Sequence, residues 1–280
     1  MEIPVYTLDA FTNSPFKGNP AAVCPLIREL SDDLYQKIAV EMNLSETAFI
    51  TRINQSDDFT KGSRFHLRWF TPATEVNLCG HATLASAAVL FQYKQNINPT
   101  LVFETRSGEL AVTRKGEGYV MDFPLNPPTQ EDPNEFRDII KAAVGNHPVQ
   151  DVYLSSNTEK LLVRLADSCD RSVLTSLKVD PVTLQSSERS GRVKGLILTI
   201  KGSPNCQPGY DFYSRYFAPW YGIPEDPVTG RKTSSASFNY FYYTYQCSSR
   251  GGELELEVRD DGRINIAGQA VTVLQGSITL

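Results

Sequence analysis

The sequence predicts an α/β (α+β) protein of two similar halves, each a mostly antiparallel sheet wrapped around a central helix. Three observations lead to this prediction: an internal repeat, a proline-rich segment between its copies, and an apolar stretch that suits a helix buried on every side. The chain has 280 residues, of which 41% are hydrophobic, so it is long enough to bury the cores of two lobes.

The internal repeat consists of three markers that occur in the same order in each half: an Arg-aromatic-Phe run that ends at a proline, a turn with a glycine, and an Arg-x-Gly-Glu-Leu run. In the two halves they lie at 68–72 and 215–219, at Gly80 and Gly230, and at 106–110 and 250–254. Matching markers in one order indicate a duplicated α/β half.

The segment between the copies, residues 124–133, contains four prolines and no hydrophobic period. Such a composition is typical of an exposed connection. We therefore expect a boundary near residue 126. The N-terminal lobe would comprise residues 1–126 and the C-terminal lobe residues 127–280, and the last strand could return to pack on the first lobe.

Hydrophobic spacing predicts the elements of the first half. Ser31 begins a helix whose apolar residues recur at helical spacing, and this helix closes near Asn43. Residues 82–91 are apolar almost all round, as a fully buried helix requires. The predicted strands lie at 5–11, 45–51 and 66–70, and a strand, a glycine turn and another strand follow the third marker of each half.

Composition argues against several classes of protein. The formal charge is −5, and no run of lysine and arginine suits a phosphate backbone or an anionic lipid surface. No window approaches the roughly 20 apolar residues that span a bilayer, and the first residues lack a signal-peptide pattern. We expect a cytoplasmic protein that binds neither nucleic acid nor membrane.

The cysteines indicate neither a disulfide framework nor a metal site. There are five, widely scattered and without a Cys-x-x-Cys pair, and only three histidines accompany them. Free thiols in a reducing compartment are the better interpretation, and we expect no metal ion.

The two glycine turns are candidate binding sites for a small anion. A helix that begins just after such a turn presents unpaired backbone N–H groups and the positive end of its dipole, which favour a carboxylate. If the halves face one another, both helix ends would converge on one substrate. The residues concerned are Cys79 and Gly80 in the first half and Thr229, Gly230 and Arg231 in the second.

Glu46 is the candidate general acid/base. It lies among apolar and small residues at the start of a predicted strand, where burial would tune a carboxylate for proton transfer. His81 could act as a donor or a second proton carrier, and Asp226 could orient it. Each of these residue types also occurs in purely structural roles, for example where a glutamate caps a backbone N–H group.

Four strings of the sequence resemble the signature of the phenazine-biosynthesis F-type (PhzF-like) family, in order and across essentially the whole chain, and the similarity is greatest to its animal members. They are Gly-Asn-Pro-Ala-Ala-Val at 18–23, Asn-Leu-Ser-Glu-Thr-Ala-Phe at 43–49, Phe-Thr-Pro at 70–72 with Leu-Cys-Gly-His-Ala-Thr at 78–83, and Glu-Asp-Pro-Val-Thr-Gly at 225–230.

The resemblance implies the diaminopimelate-epimerase-like fold, two pseudo-symmetric lobes with a cleft between them, and isomerisation without a cofactor. It implies that Glu46 moves the proton, that His81 and Asp226 assist it, and that Gly18 and Asn19 line the cleft. A homodimer and a WD-repeat protein as partner are further expectations from the resemblance.

The residue before each glycine turn bears on the mechanism. Two-thiol epimerases of this fold place a cysteine before the glycine in both halves, whereas this chain has Cys79 in the first half and Thr229 in the second. One carboxylate can remove a proton and return it on the same face at another carbon, which favours a 1,3-proton shift. Epimerisation stays open if Cys79 or a water serves the second face.

The second half departs from the family after Gly230. The family continues Ser-Ala-His, but this chain reads Arg-Lys-Thr at 231–233, and Gly230 lies 22 residues before Gly252 whereas Gly80 lies 28 residues before Gly108. The altered block, residues 231–245, therefore predicts a shortened or distorted second central helix. The Arg231 guanidinium could pair with a substrate carboxylate or fill the cleft.

Three functions follow as hypotheses. The leading one is an isomerase or epimerase of a small carboxylate-bearing metabolite, and the second is a binding or regulatory protein that keeps the fold with a damaged cleft, as the Arg231 block would favour. The third, a cysteine hydrolase built on Cys79 and His81, is weaker because residues two apart on a turn need not face each other and no third group is evident.

Overall fold

The computed structural model describes residues 1–54, 56–202, 209–229 and 241–280. The strands are β1 (Glu2–Ala10), β2 (Asn19–Leu26), β3 (Glu46–Arg52), β4 (Arg64–Phe70), β5 (Glu75–Val76), β6 (Thr100–Thr105), β7 (Gly108–Lys115), β8 (Gly118–Pro124), β9 (Thr129–Gln130), β10 (Val149–Ser155), β11 (Lys160–Leu165), β12 (Gly195–Lys201), β13 (Phe212–Ala218), β14 (Ile223–Asp226), β15 (Phe241–Gln246), β16 (Gly252–Val258), β17 (Arg263–Gly268) and β18 (Ala270–Thr279). The α-helices are α1 (Asp32–Met42), α2 (Gly80–Gln92), α3 (Arg137–Val144), α4 (Arg171–Ser176) and α5 (Pro181–Ser187), and 3-10 turns lie at Pro133–Phe136 and Pro219–Tyr221.

The chain forms two compact units, Met1–Phe123 with Arg263–Leu280, and Pro124–Gly262. We expected a boundary near residue 126 and a last strand that could return to the first lobe. The units divide after Phe123 and again after Gly262. The second division arises because β17 pairs with β8 and β18 pairs with β1 over its whole length. The last two strands are therefore part of the first unit.

The sheet of the first unit runs β18–β1–β2–β3–β4–β6–β7–β8–β17, with β5 also paired to β4. The β2/β3 and β4/β6 pairs are parallel, and the other pairs whose sense is given are antiparallel. One residue separates β17 from β18, so the two outer strands of this order follow each other directly in the chain. The mostly antiparallel sheet predicted from the sequence is confirmed in this unit.

Helix α2 is the central element of the first unit, and its residues from Gly80 to Phe91 are buried. It packs on β1, β2, β3 and β18, and Phe91 stacks on Tyr119 of β8 with 5.6 Å between ring centroids. The predicted helix over residues 82–91 is confirmed and begins two residues earlier. A helix without a polar face can be stable in water only when strands cover it on every side.

The sheet of the second unit repeats this order of strands. It runs β9–β10–β11–β12–β13–β15–β16, with β14 also paired to β13, and its β11/β12 and β13/β15 pairs are the parallel ones. Each of the pairs from β10/β11 to β15/β16 therefore has the same sense as the corresponding pair from β1/β2 to β6/β7. The duplicated α/β half predicted from the markers is confirmed at the level of strand topology.

The first marker recurs because its arginine makes the same contacts in both units. Arg68 on β4 forms two hydrogen bonds of 2.8 Å to the carboxylate of Glu75 and lies over the Phe70 ring. Arg215 on β13 forms bonds of 2.7 and 2.8 Å to Glu225 and lies over the ring of the phenylalanine two residues later. A bidentate arginine–carboxylate pair is geometrically specific, so each one fixes how the next short strand is placed.

The outer faces of the sheets are covered by short capped helices. In the first unit α1 begins at the N-cap Ser31, whose hydroxyl accepts from the Leu34 amide, and ends at Asn43, which adopts the left-handed conformation at φ 50°. This confirms the helix predicted from Ser31 to Asn43. In the second unit α4 and α5 begin at Asp170 and Asp180, each of which accepts from the first-turn amides.

The predicted second central helix lies outside the described residues, since these end at Thr229 and resume at Phe241. The end of the altered block, from Phe241 onward, belongs to β15. Among the helices of the described ranges, none is long and apolar enough to cross a membrane.

We predict that Leu84→Ala destabilises the first unit by about 2–5 kcal/mol, because Leu84 is fully buried in α2 and truncation leaves a cavity. Urea unfolding followed by the fluorescence of Trp69, in a chain whose Trp220 is replaced by Phe, reports this unit. The matched control is Leu274→Ala, because Leu274 is 52% exposed on β18, and we expect it to cost less than about 0.5 kcal/mol. Equal effects of the two changes would contradict the central position of α2.

Candidate active site

The candidate site lies where the starts of β2 and β3 meet the first turn of α2. The two strands are parallel, with Ala21 opposite Glu46, so their N-terminal ends share one edge of the sheet. Asn19 is the first residue of β2, Glu46 is the first residue of β3, and His81 is the second residue of α2. Packing of α2 on both strands brings these three residues together.

The imidazole of His81 is the centre of this cluster. Its Nδ1 lies 3.0 Å from Asn19 Nδ2 and 3.4 Å from Cys79 Sγ, and its Nε2 lies 3.3 Å from Ser45 Oγ. Ser45 Oγ also lies 3.2 Å from each of two acceptors, Asn19 Oδ1 and a backbone carbonyl oxygen, either of which can take its one hydrogen. Glu46 Oε2 is 3.1 Å from His81 Nε2. The sequence predicted four of these five residues as a site, and the structure brings all five together.

The Glu46 carboxylate is buried, with 7% of the residue exposed, yet one of its oxygens makes no hydrogen bond. Its Oε2 has no hydrogen-bond partner among the described residues, although His81 Nε2 is 3.1 Å away. The contact is therefore close without the angle of a hydrogen bond. A buried carboxylate oxygen left in this state costs about 1–3 kcal/mol, which is typical of a site kept for function.

Burial lowers the pKa of His81, but the Cys79 sulfur and the Glu46 carboxylate together raise it well above its ordinary value. Both neighbours also form close contacts with the ring, one at each nitrogen. The imidazole can therefore carry a proton beside Glu46 within a buried site.

Cys79 does face His81, which differs from our expectation that residues two apart on a turn need not do so. Burial, and then the charge of Glu46, raise the pKa of the Cys79 thiol. Its contact with the ring is at Nδ1, which Asn19 shares. A buried neutral thiol with a shared base is a poor nucleophile, so the geometry disfavours the cysteine hydrolase.

Glu46, Cys79 and His81 also form a group of candidate metal ligands, since their donor atoms lie within 4.8 Å of one another. The carboxylate and the sulfur contact opposite nitrogens of the imidazole, Nε2 and Nδ1. That the site holds no metal ion stays a prediction.

Gly18 places Asn19 through a backbone conformation that only glycine adopts readily. Its φ is +64°, and a Cβ at this position would lie 2.2 Å from the Ala10 carbonyl oxygen. The chain can turn from β1 into β2 this tightly only without a side chain. Gly18 therefore contributes to the site by positioning its neighbour.

The first turn of α2 offers backbone amides next to these side chains. Its N-cap is Cys79, which makes no side-chain capping hydrogen bond. The amides of Gly80 and of the residue after it therefore lie at the positive end of a helix without a side-chain cap. This arrangement suits a carboxylate, as the glycine turn predicted.

The second unit holds the other predicted site residues. Asp226 and Thr229 are buried, and the Gln246 amide group joins them: it donates to the Asp226 carbonyl at 2.5 Å and accepts from the Thr229 amide at 3.0 Å. The predicted Gly230 and Arg231 lie outside the described residues. The role of Asp226 in orienting His81 stays a prediction.

Comparison with known proteins identifies the family. The family model described as phenazine biosynthesis-like protein matches residues 8–276. This chain belongs to the PhzF family. It is 55% identical to phenazine biosynthesis-like domain-containing protein 1 of Mus musculus, and each chain is covered completely. It is 40% identical, again over the full length of both chains, to an uncharacterized isomerase of Halalkalibacterium halodurans.

The solved structures agree with the PhzF assignment. A crystal structure of a PhzF-family protein from Enterococcus faecalis is similar, with 37% identity, a TM-score of 0.83 and complete coverage of both chains. The epimerase-type α+β fold that the four strings predicted is thereby confirmed. Membership of the PhzF family, together with relatives named isomerases, supports an isomerase or epimerase in general terms.

Sequence reasoning missed Ser45 and Gln246. Ser45 stands inside the Ser-Glu-Thr string of the PhzF signature, but a serine before a strand gave no sign that it would contact a histidine 36 residues away. Gln246 is buried in β15, and its side chain bonds backbone groups 17 and 20 residues earlier. Contacts of this kind follow from strand pairing and cannot be read from local pattern.

We predict that Gly18→Ala destabilises the protein by at least about 1–3 kcal/mol, because the new Cβ meets the Ala10 carbonyl and φ is positive. The matched control is Gly276→Ala in the same unit, where a Cβ meets no atom within 4 Å. Thermal unfolding of both variants measures the difference. A Gly18→Ala protein as stable as Gly276→Ala would show that the turn is not constrained.

We predict a pH-dependent contribution of His81 to stability. Its folded pKa is raised above the unfolded value of about 6.5, so its contribution is complete below that pH and is lost as the pH rises through the folded pKa. Between about pH 6.5 and 8.5 the stability difference between the wild type and His81→Gln should shrink, by at most about 1.4 kcal/mol per pH unit. Urea unfolding at several pH values measures it. A constant difference would contradict a raised pKa.

Proposed function

We propose that this PhzF-family protein is a cofactor-independent isomerase of a small carboxylate-bearing metabolite, with Glu46 as the group that moves the proton. In the proposed step the Glu46 carboxylate takes a proton from a carbon next to an electron-withdrawing group. The Glu46 carboxyl group, whose proton can exchange with solvent, then returns a proton to another carbon, so one C–H bond is broken, one is formed, and nothing is oxidised.

The single observation that carries this proposal is the buried Oε2 of Glu46, which has no hydrogen-bond partner within the part of the chain that the structure describes. The contact of this oxygen with His81 Nε2, at 3.1 Å, is an ion-pair distance without hydrogen-bond geometry. An acceptor without a hydrogen bond in a low-dielectric site is ready to receive a proton from a bound molecule.

The first turn of α2 supports a carboxylate as the group by which substrate is held. Its amides follow Cys79, which provides no side-chain cap, and they adjoin the proton-transfer residues Glu46 and His81. The substrate's carboxylate would then be anchored a few ångströms from the reacting carbon. Binding of this kind uses the helix dipole and needs no cationic side chain.

A 1,3-proton shift is the finer form of the proposal. It needs one base that reaches two carbons on one face, whereas epimerisation needs a second group on the opposite face. Cys79 precedes the glycine of the first turn, but Thr229 stands in its place in the second unit. The neutral, buried state of the Cys79 thiol also favours the single-base reaction.

A binding or regulatory protein is the alternative function, and it depends on residues 231–240, which the structure does not describe. Arg231 could exclude substrate there, and the WD-repeat partner and the homodimer suggested by the resemblance also stay proposals. A chain with Gly-Ser-Ala-His restored at 230–233 separates the two functions.

We predict that the protein incubated in D2O with a panel of small carboxylic and amino acids incorporates deuterium into one of them, and that Glu46→Gln lowers the rate by at least about 100-fold. Mass spectrometry of the acids measures the exchange. The matched control is Glu41→Gln, the same change at an exposed position of α1, which should exchange as the wild type does.

The chain with Gly-Ser-Ala-His restored at 230–233 distinguishes the possible causes of an inactive wild type. Exchange only in the restored chain would show that the altered block disables an enzyme. Exchange that persists in Glu46→Gln would overturn Glu46 as the base. No exchange in either chain with any acid of the panel would count against the isomerase and for the binding protein.

A further inference from the structure

Asn19 and Ser45 hold the His81 ring by both of its nitrogens and are bonded to each other. The Asn19 amide lies 3.0 Å from Nδ1, Ser45 Oγ lies 3.3 Å from Nε2, and 3.2 Å separates Ser45 Oγ from Asn19 Oδ1. Asn19 is fully buried, and Ser45 is partly buried. We call this set of three residues the imidazole clamp.

The direction of the hydrogen bonds in the imidazole clamp follows from counting hydrogens. The Ser45 hydroxyl has one hydrogen, and two carbonyl-type acceptors, Asn19 Oδ1 and the Pro20 carbonyl oxygen, each lie 3.2 Å from it. Asn19 Nδ2 can only donate, so the His81 Nδ1 that it contacts accepts, and the neutral ring carries its hydrogen at Nε2. The contact between Ser45 and His81 therefore has Nε2–H as donor and Ser45 Oγ as acceptor.

The donation of Nε2–H to Ser45 explains why Glu46 Oε2 makes no hydrogen bond. The Nε2–H group of His81 has two neighbours, Ser45 Oγ at 3.3 Å and Glu46 Oε2 at 3.1 Å, and only the contact with Ser45 has hydrogen-bond geometry. A hydrogen bond from the ring to the carboxylate would stabilise the charged form and weaken it as a base. Ser45 keeps that hydrogen away from Glu46.

We propose that Asn19 and Ser45 are positioning residues that hold the His81 ring so that Glu46 Oε2 remains unbonded and available to the substrate's proton. This inference rests on the proposed function of Glu46. It assigns Ser45 a role in the reaction and gives Asn19 a different role from lining the cleft.

The imidazole clamp works in both protonation states of His81. When the ring is neutral, Asn19 Nδ2–H donates to Nδ1, and Ser45 donates to Asn19 Oδ1. When one proton is added at Nδ1, the amide turns over so that Oδ1 accepts from Nδ1–H, and the Ser45 hydrogen moves to the Pro20 carbonyl. In both states Nε2–H stays on Ser45 and the carboxylate oxygen stays unbonded.

Two titratable groups face the ring from the elements packed against it. Glu46 comes from β3, and Cys79 comes from the turn before α2. Both contacts favour the protonated ring, so a clamp that accepts either protonation state keeps the site satisfied while the ring gains or loses a proton.

A merely structural role for Ser45, joining the starts of β2 and β3, makes different predictions. It would affect stability alone and would leave the hydrogen bonding of the ring and the basicity of Glu46 unchanged. The test therefore needs a direct measurement of the ring and a pH profile.

Nitrogen NMR of the imidazole rings provides the direct measurement, because the chain has only three histidines. In the wild type we expect the Nε2-protonated tautomer of His81 above its pKa. In Ser45→Ala the Nε2–H signal should change to that of a hydrogen bond to a carboxylate, and Ser45→Thr should return it. In Asn19→Asp, whose side chain accepts but does not donate when ionised, His81 should stay doubly protonated to higher pH, while His66 and His147 serve as internal controls.

The pH profile of deuterium exchange tests the effect on Glu46. In Ser45→Ala we expect its acid limb to move down by about one pH unit and the exchange rate at neutral pH to fall about tenfold, with most of the rate recovered in Ser45→Thr. An Nδ1-protonated tautomer in the wild type, or NMR signals of His81 that do not respond to Ser45→Ala, would overturn the imidazole clamp.

The two proposals fail in different ways. If the ring responds as expected but exchange in Ser45→Ala keeps the wild-type profile, the positioning role is wrong and Ser45 is structural. If no exchange occurs in the wild type or the restored chain, the proposed function fails, while the NMR signals still decide whether the clamp exists.

Discussion

The burial of α2 on every side is the constraint on which the rest of the first unit depends. Because its residues from Gly80 to Phe91 are apolar or small apart from His81, the sheet must surround the helix, which brings β1, β2, β3 and β18 onto it. The same burial takes the first turn of the helix into the interior. His81 therefore enters an apolar core with its ring nitrogens in need of partners, and the starts of β2 and β3 supply them.

The polar cluster is consequently both a packing solution and a reactive site. Each nitrogen of the His81 ring is bonded, and the Asn19 amide and the Ser45 hydroxyl are bonded to each other. By contrast, the buried Oε2 of Glu46 makes no hydrogen bond with the residues that the structure describes. Since folding alone would favour a bonded or apolar group at that position, the state of this oxygen agrees with the proton transfer proposed for Glu46.

Patterns with a local physical cause were predicted from the sequence, and patterns that depend on distant pairing were not. The helix from Ser31 to Asn43 has its cap residues in the sequence, and α2 is recognised by composition alone. Strand β2 was missed because Pro20 and Pro25 argue against a central strand, although it is paired on both sides. The return of the last strand was considered from the sequence, but that of β17, and the contact of Ser45 with His81, follow from pairings over long separations that leave no local periodicity.

The second unit repeats the strand order of the first unit but has no carboxylate at the position equivalent to Glu46. Phe70 and Phe217 are equivalent positions of the first marker. Phe70 pairs with Thr47, and Phe217 pairs with Leu196. The residues that precede these two partners, Glu46 and Gly195, therefore occupy equivalent positions in the two units. A Cβ on Gly195 would lie 2.7 Å from the hydroxyl oxygen of the tyrosine that precedes Phe217, which leaves no room for a second carboxylate. Arg68 and Arg215, by contrast, keep identical ion pairs. Retaining the ion pairs while losing the acid argues that duplication preserved a fold, and it agrees with the proposal that a single carboxylate moves the proton.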